Sequence, residues 1–202
     1  MKAARALHAA SALVAWLALA LQLALIVQQV GLIWGIWRFV GYFTILTNLL
    51  IAVVATAFVV APHSRLASPT ARIAALVSIV LVGVVYSVAL RNTFNPQGWA
   101  KVADFGLHDV SPVLFVAAWL AAPHAGLRWQ NLRWILLPPL AYLAYALGRG
   151  AIDGWYAYWF LDPRNMSLVQ MAISVAILVA AFAVVGMITL ATDRALARRT
   201  VN

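Results

Sequence analysis

The chain has 202 residues, 65% of them hydrophobic and only 9% charged, where soluble proteins carry roughly 25% charged residues. That balance excludes a soluble domain and points to a polytopic membrane protein. The net charge of +9 does not read as nucleic-acid binding, because the basic residues lie between apolar runs, where they set topology and meet lipid headgroups.

Cysteine is absent, which excludes disulfides, thiol catalysis and cysteine-ligated metal centres. Arginine far outnumbers lysine and alanine is abundant, an association with GC-rich bacterial genomes.

Lys2 and Arg5 precede a first apolar run, over about residues 7–30. The core of a secretory signal is shorter, about 7–15 residues. This run can cross the ~30 Å hydrocarbon core, so an uncleaved first span is expected. A short aromatic link follows with Trp34, Trp37 and Arg38, as suits a membrane interface. The second span is expected over 39–61 and ends at a turn-rich segment, 62–71. The third covers about 72–90, with Tyr86 and Ser87 near its far end.

Residues 91–101 form the first substantial loop, where Asn95-Pro96 and Gly98 supply turn chemistry. The fourth span, about 102–122, carries Asp104, His108 and Asp109 in its first turns and then Pro112. The fifth, about 133–151, holds Pro138-Pro139, which predicts a kink. An aromatic stretch at 153–165 reads as a second interfacial belt, and its Trp155, Tyr156, Tyr158 and Trp159 as anchors. The sixth span is expected over 166–191, followed by a basic tail at 192–202. No repeat or soluble domain is visible, so the chain reads as one all-α membrane domain of six transmembrane helices.

The charges test this map. One side holds Lys2, Arg5, Arg65, Arg72, Arg128, Arg133, Arg194, Arg198 and Arg199 against Asp193 alone. On the other, Arg38, Arg91, Lys101, Arg149 and Arg164 are nearly balanced by Asp104, Asp109, Asp153 and Asp162. The positive-inside rule then places both termini in the cytoplasm, and a bacterial inner membrane is the expected location.

Within the second span, Thr44, Thr47 and Asn48 fall at i, i+3 and i+4, on one helical face. Such a stripe can be packing glue between helices or a reactive face. The expected topology brings the second and fourth spans in from the same outer side. Thr44 and His108 then lie at similar depth, roughly 8 Å in for Thr44 at 1.5 Å per residue. His8 is expected at the leading edge, ahead of the continuous apolar part of the first span, and His63 and His124 in turns, leaving His108 as the intramembrane histidine, a functional candidate by its place. A lone histidine cannot give bis-histidine haem ligation. Only Asp104 and Asp109 could complete a metal site, so neither metal nor cofactor is expected.

A threonine hydroxyl needs an adjacent base to act as nucleophile. Asp104 precedes His108 by one turn and can reach its ring. Thr44, His108 and Asp104 could thus supply nucleophile, base and orienting carboxylate. Asn48 is a candidate oxyanion donor, and Thr47 a rival nucleophile. Arg91 and Arg149, at outer span ends, could bind a lipid carboxylate or phosphate, or simply snorkel to the interface.

Three stretches carry a resemblance: YFTILTN from Tyr42 to Asn48, Asp104 to His108 followed by Pro112, and FLDP from Phe160 to Pro163. Together they resemble the bacterial six-span relatives of the androgen-induced, androgen-dependent TFPI-regulating protein family. Its eukaryotic members are membrane threonine hydrolases that cleave fatty acid esters of hydroxy fatty acids with a Thr and a His. The resemblance implies Thr44 as nucleophile and His108 as base, while the role of Asp104 comes from spacing alone. Expected partners are membrane lipids and a lipid-like substrate, not nucleic acid. A small transporter or channel, and a non-enzymatic lipid-binding or assembly protein, remain alternative readings.

Overall fold

A computed structural model describes residues 1–199; the end of the expected tail, from Thr200 to Asn202, lies outside the described residues. Among the described residues every regular element is helical. The helices are α1 (Lys2–Val30), α2 (Leu32–Phe39), α3 (Phe43–Val60), α4 (Pro69–Val85), α5 (Trp99–Phe105), α6 (Ser111–Ala121), α7 (Leu132–Asp153) and α8 (Leu168–Arg199). Five are long and apolar enough to cross a membrane: α1, α3, α4 with its continuation to Thr93, α7 with the turn before it from Trp129, and α8.

Local chemistry explains several boundaries. Gly31, at φ 80°, ends α1 and donates its N–H to Val27 O at 2.8 Å; positive φ is costly for any other residue type. The expected aromatic link beyond it is helical, and forms α2. Ser68 caps α4, its Oγ accepting from Ala71 N at 3.2 Å with Pro69 in the first helical position, where its missing N–H costs nothing. Helix α7 runs on through Pro138 and Pro139 to a left-handed Gly154. Helix α8 extends well beyond the expected span end, to Arg199.

The expected fourth span is helical from residue 99 to 121 but is not one α-helix. Between α5 and α6 the turn Gly106–Val110 is widened to π geometry. A second π turn, Tyr86–Leu90, continues α4. Ser111 N–H accordingly bonds back to Gly106 O, and Arg91 N–H to Tyr86 O. Pro112 lacks the amide that an α-helix would offer to the His108 carbonyl, and the helix widens just before it.

Helix α4 lies at the centre, against α3, α6, α7 and α8, and α1 closes one side against α3 and α6. The core gathers Ile51, Val54 and Ala55 of α3, Ile73, Val77 and Ile79 of α4, and Phe115 of α6. The buried face of α1 is mostly small: Ala4, Ser11, Ala12, Ala15 and Ala18. Small residues let membrane helices approach closely, and Gly106 uses that approach.

At the opposite end of the bundle the structure departs from expectation. His8 lies inside α1, fully buried, with Nδ1–H donating to Ala4 O at 2.8 Å and its ring stacked 3.9 Å from Phe58. Arg72, expected as a surface topology charge, is 5% exposed, donates to Pro123 O at 2.9 Å and lies 5.2 Å over the Phe58 ring. Asp193 accepts from His124 Nδ1 at 3.0 Å and from Leu127 N at 2.8 Å, fastening the end of α8 to the loop after α6.

A Cβ placed on Gly106 would lie 2.9 Å from the Ala18 methyl. The variant Gly106→Ala is expected to lose about 1–3 kcal/mol through overpacking, read as a lower melting temperature in detergent. Adding Ala18→Gly should return part of the loss. A Gly106→Ala protein melting like the wild type would rule out this tight contact.

Candidate active site

Helix α3 starts without the usual local cap. Its cap residue Tyr42 is extended, at φ −95° and ψ 132°, and its side chain makes no cap hydrogen bond. The first amides of a helix have no partners within it. Here the Thr44 N–H donates to the Tyr158 hydroxyl at 3.3 Å, reaching across 114 residues of sequence. Thr44 therefore sits in the first turn of α3, near the positive end of the helix dipole.

Helix α5 and the π turn after it present Asp104 and His108 to Thr44. His108 Nδ1 lies 3.0 Å from Asp104 Oδ1 and 3.1 Å from Asp104 O. Both are acceptors, so the Nδ1 proton is held there. Nε2 is left with a free lone pair, and the Thr44 hydroxyl donates to it across 3.3 Å. Tyr86, from the other π turn, donates to Asp104 Oδ2 at 2.6 Å. Its ring stacks on the imidazole at 3.8 Å and 12°. Each oxygen of the Asp104 carboxylate thus has a donor, and the imidazole is fixed both in plane and by its edge.

Asn48 is fully buried. One N–H of its amide goes to Thr44 O at 2.8 Å and the other to Leu107 O at 3.2 Å. The second bond ties α3 to the widened turn that carries His108. With both protons engaged, Asn48 cannot be the oxyanion donor that its spacing suggested; it is the brace that holds the two helices in register. Thr47 is buried, and both imidazole nitrogens are taken by Thr44 and Asp104, so Thr44 is the hydroxyl placed against the ring.

The two arginines are also engaged with the protein. Arg91 pairs with Asp109 at 2.6 Å, donates to Ser87 Oγ at 3.3 Å and lies 4.9 Å over the Tyr86 ring, joining the two π turns on their outer side. Arg149 is 5% exposed, 4.1 Å over Trp37 and 5.1 Å over Trp155, and bonds Asp153 at 3.3 Å. Neither lines the space beside Thr44. Arg149 instead borders a separate outer cleft with Trp34, Trp37, Arg38 and Trp155.

The space beside Thr44 is an apolar cleft of about 80 Å3, partly open to the exterior. Its walls come from α4, α7 and α8, including Leu81, Val85, Leu140, Val179 and Phe182. Thr44, Tyr86, Tyr142 and Tyr158 are the hydroxyl-bearing residues among its lining. Tyr158 is the site residue that sequence reasoning missed, because its stretch has the composition of an interfacial anchor. Trp155 and Phe160 also pack inward while Trp159 is exposed, so the stretch carries no periodic signal that would single out Tyr158.

The 154–167 loop that delivers Tyr158 is held by Asp162. Its carboxylate accepts from Arg164 N at 3.0 Å, Nε at 2.9 Å and Nη2 at 2.7 Å, and from Asn165 Nδ2 at 3.1 Å. Hydrogen bonds from the Arg164 guanidinium outweigh partial burial and hold the carboxyl down to about 2. A depressed carboxyl stabilises the fold above its unfolded value, so this anchor should be intact at neutral pH. It should weaken as pH falls from about 4 towards 2. Asp162→Asn is expected to speed amide exchange within 154–167 while leaving the helices protected. Unchanged exchange in that loop would show that Asp162 does not hold it.

In comparisons with known proteins, the chain matches no family model, no curated protein and no solved structure.

Proposed function

We propose that this protein is an intramembrane lipid-ester hydrolase with Thr44 as nucleophile, His108 as general base and Asp104 as the carboxylate that orients the base. The observation that carries the reading is the 3.3 Å contact between Thr44 Oγ and His108 Nε2, made at the edge of a cleft lined almost wholly by aliphatic and aromatic side chains. A hydroxyl becomes a competent nucleophile when a positioned base takes its proton, and the tautomer held by Asp104 leaves the accepting nitrogen facing the hydroxyl.

In this reading the ester enters the cleft from the membrane. Thr44 Oγ attacks the carbonyl carbon as its proton passes to His108 Nε2. The tetrahedral intermediate collapses, the C–O bond to the alcohol breaks, and His108 protonates the leaving alkoxide. Water then attacks the acyl-threonine with its proton going to His108, and the carboxylic acid leaves as Thr44 is reprotonated. The substrate class is a long-chain carboxylic ester, of which fatty acid esters of hydroxy fatty acids are the example the sequence resemblance suggests.

The membrane arrangement belongs to the same proposal. Residues 99–121 would span roughly 34 Å at ~1.5 Å per residue, enough to act as a sixth crossing beside the five long apolar helices. Six crossings together with the charge bias put both termini in the cytoplasm of a bacterial inner membrane. Lipid binding without turnover is the second reading, favoured by the cleft alone.

Thr44→Ala and His108→Ala should each lower long-chain ester turnover in detergent by roughly 10²–10⁴-fold. Both should also abolish labelling by a fluorophosphonate probe, while the proteins remain folded by melting temperature. Full labelling of both variants would refute the assignment. An acyl lipid that binds and is never turned over would favour the second reading.

A further inference from the structure

Ester attack leaves negative charge on the former carbonyl oxygen, and stabilising that charge needs a donor aimed at it from within the site. Three tyrosines line the cleft together with Thr44: Tyr86, Tyr142 and Tyr158. Tyr86 spends its proton on Asp104 at 2.6 Å and Tyr142 spends its own on Gly41 O at 2.9 Å. The Asn48 amide protons are both taken by backbone carbonyls. Tyr158 differs in that its oxygen accepts, from Thr44 N–H at 3.3 Å, which leaves its own proton to give. The same hydroxyl touches the Thr44 side chain.

We propose that the Tyr158 hydroxyl is the oxyanion donor of the Thr44 reaction, a catalytic role that rests on the hydrolase reading above. As the Thr44 Oγ–carbon bond forms and the Thr44 proton moves to His108, the carbonyl π electrons pass onto the carbonyl oxygen. The Tyr158 O–H turns from Thr44 to that oxygen and donates a hydrogen bond without losing its proton. The Thr44 N–H behind it polarises the phenol, since a donor that is itself accepting becomes a stronger donor. The first turn of α3 adds its positive end on the same side.

The placement of Tyr158 does not depend on luck in a long loop. Its ring lies 6.3 Å from that of Tyr142 and 6.4 Å from that of Tyr42, both near right angles, and stacks at 5.3 Å on Phe160. The loop start is clamped where Trp155 meets Arg149, and Asp162 clamps its end. A ring packed on three sides has few ways to turn, so its hydroxyl is preorganised.

The test uses the full-length protein in detergent with a long-chain p-nitrophenyl ester. Tyr158→Phe should lower kcat by roughly 10²–10³-fold, the usual loss for one oxyanion donor, with KM nearly unchanged. Binding of a long-chain trifluoromethyl ketone, which forms a tetrahedral adduct on the hydroxyl, should weaken in proportion. Turnover that depends on Thr44 yet survives Tyr158→Phe within about threefold would overturn this proposal and leave the hydrolase reading standing. A wild-type protein with neither turnover nor probe labelling at Thr44 would overturn both.

Should Tyr158→Phe fail to fold, 3,5-difluorotyrosine at position 158 keeps the shape and the donor but ionises at lower pH. The alkaline fall of kcat should then move to lower pH than in the wild type, since an ionised phenol cannot donate. An unmoved alkaline limb would overturn the proposal.

Discussion

Hydrocarbon offers no hydrogen bonds, so each polar group inside an apolar bundle must find its partner within the protein. The two amide protons of Asn48 meet that constraint, one on the Thr44 carbonyl of their own helix and one on the Leu107 carbonyl of the next. The carbonyl is free to receive it because the helix is widened there to π geometry. π turns in α-helices are frequent at functional sites, and here two face each other, one carrying Tyr86 and the other His108. The widening disrupts the regular ladder, and at Leu107 the Asn48 side chain of α3 completes it.

The same economy governs the groups around Thr44. Asp104 has both oxygens bonded, His108 has both nitrogens bonded, and Tyr86 serves one by a hydrogen bond and the other by stacking. Networks that are fully satisfied in a low-dielectric interior are rigid, and rigidity is what a positioned base requires. Close packing beneath them has the same effect. Gly106 lets α1 press against the π turn, and a side chain on Gly83 would crowd the His108 carbonyl at 3.3 Å.

The far end of the bundle solves a similar problem by other means. Arg72 lies over an aromatic ring and bonds a carbonyl. Asp193 is 2% exposed and gathers a histidine and a backbone amide. Arg194 adds a bond to Leu127 O at 2.8 Å and lies 4.8 Å over Trp129. These contacts fasten the end of α8 and the start of α4 to the segment that follows α6.

The all-helical membrane character, the approximate positions of the long apolar helices and the sharing of one helical face by Thr44 and Asn48 were legible in the sequence, because apolar run length and helical periodicity are local properties. The i, i+4 spacing likewise sufficed to bring Asp104 to His108. What needed the tertiary structure was which donors are already engaged: Asn48 spends its protons on backbone, Arg91 and Arg149 spend theirs on side chains, and Tyr158 turns inward from a stretch composed like an anchor. Composition and spacing state which groups a helix face offers. They do not state what a carbonyl on another helix has claimed, because that depends on how helices far apart in sequence rotate and widen against each other.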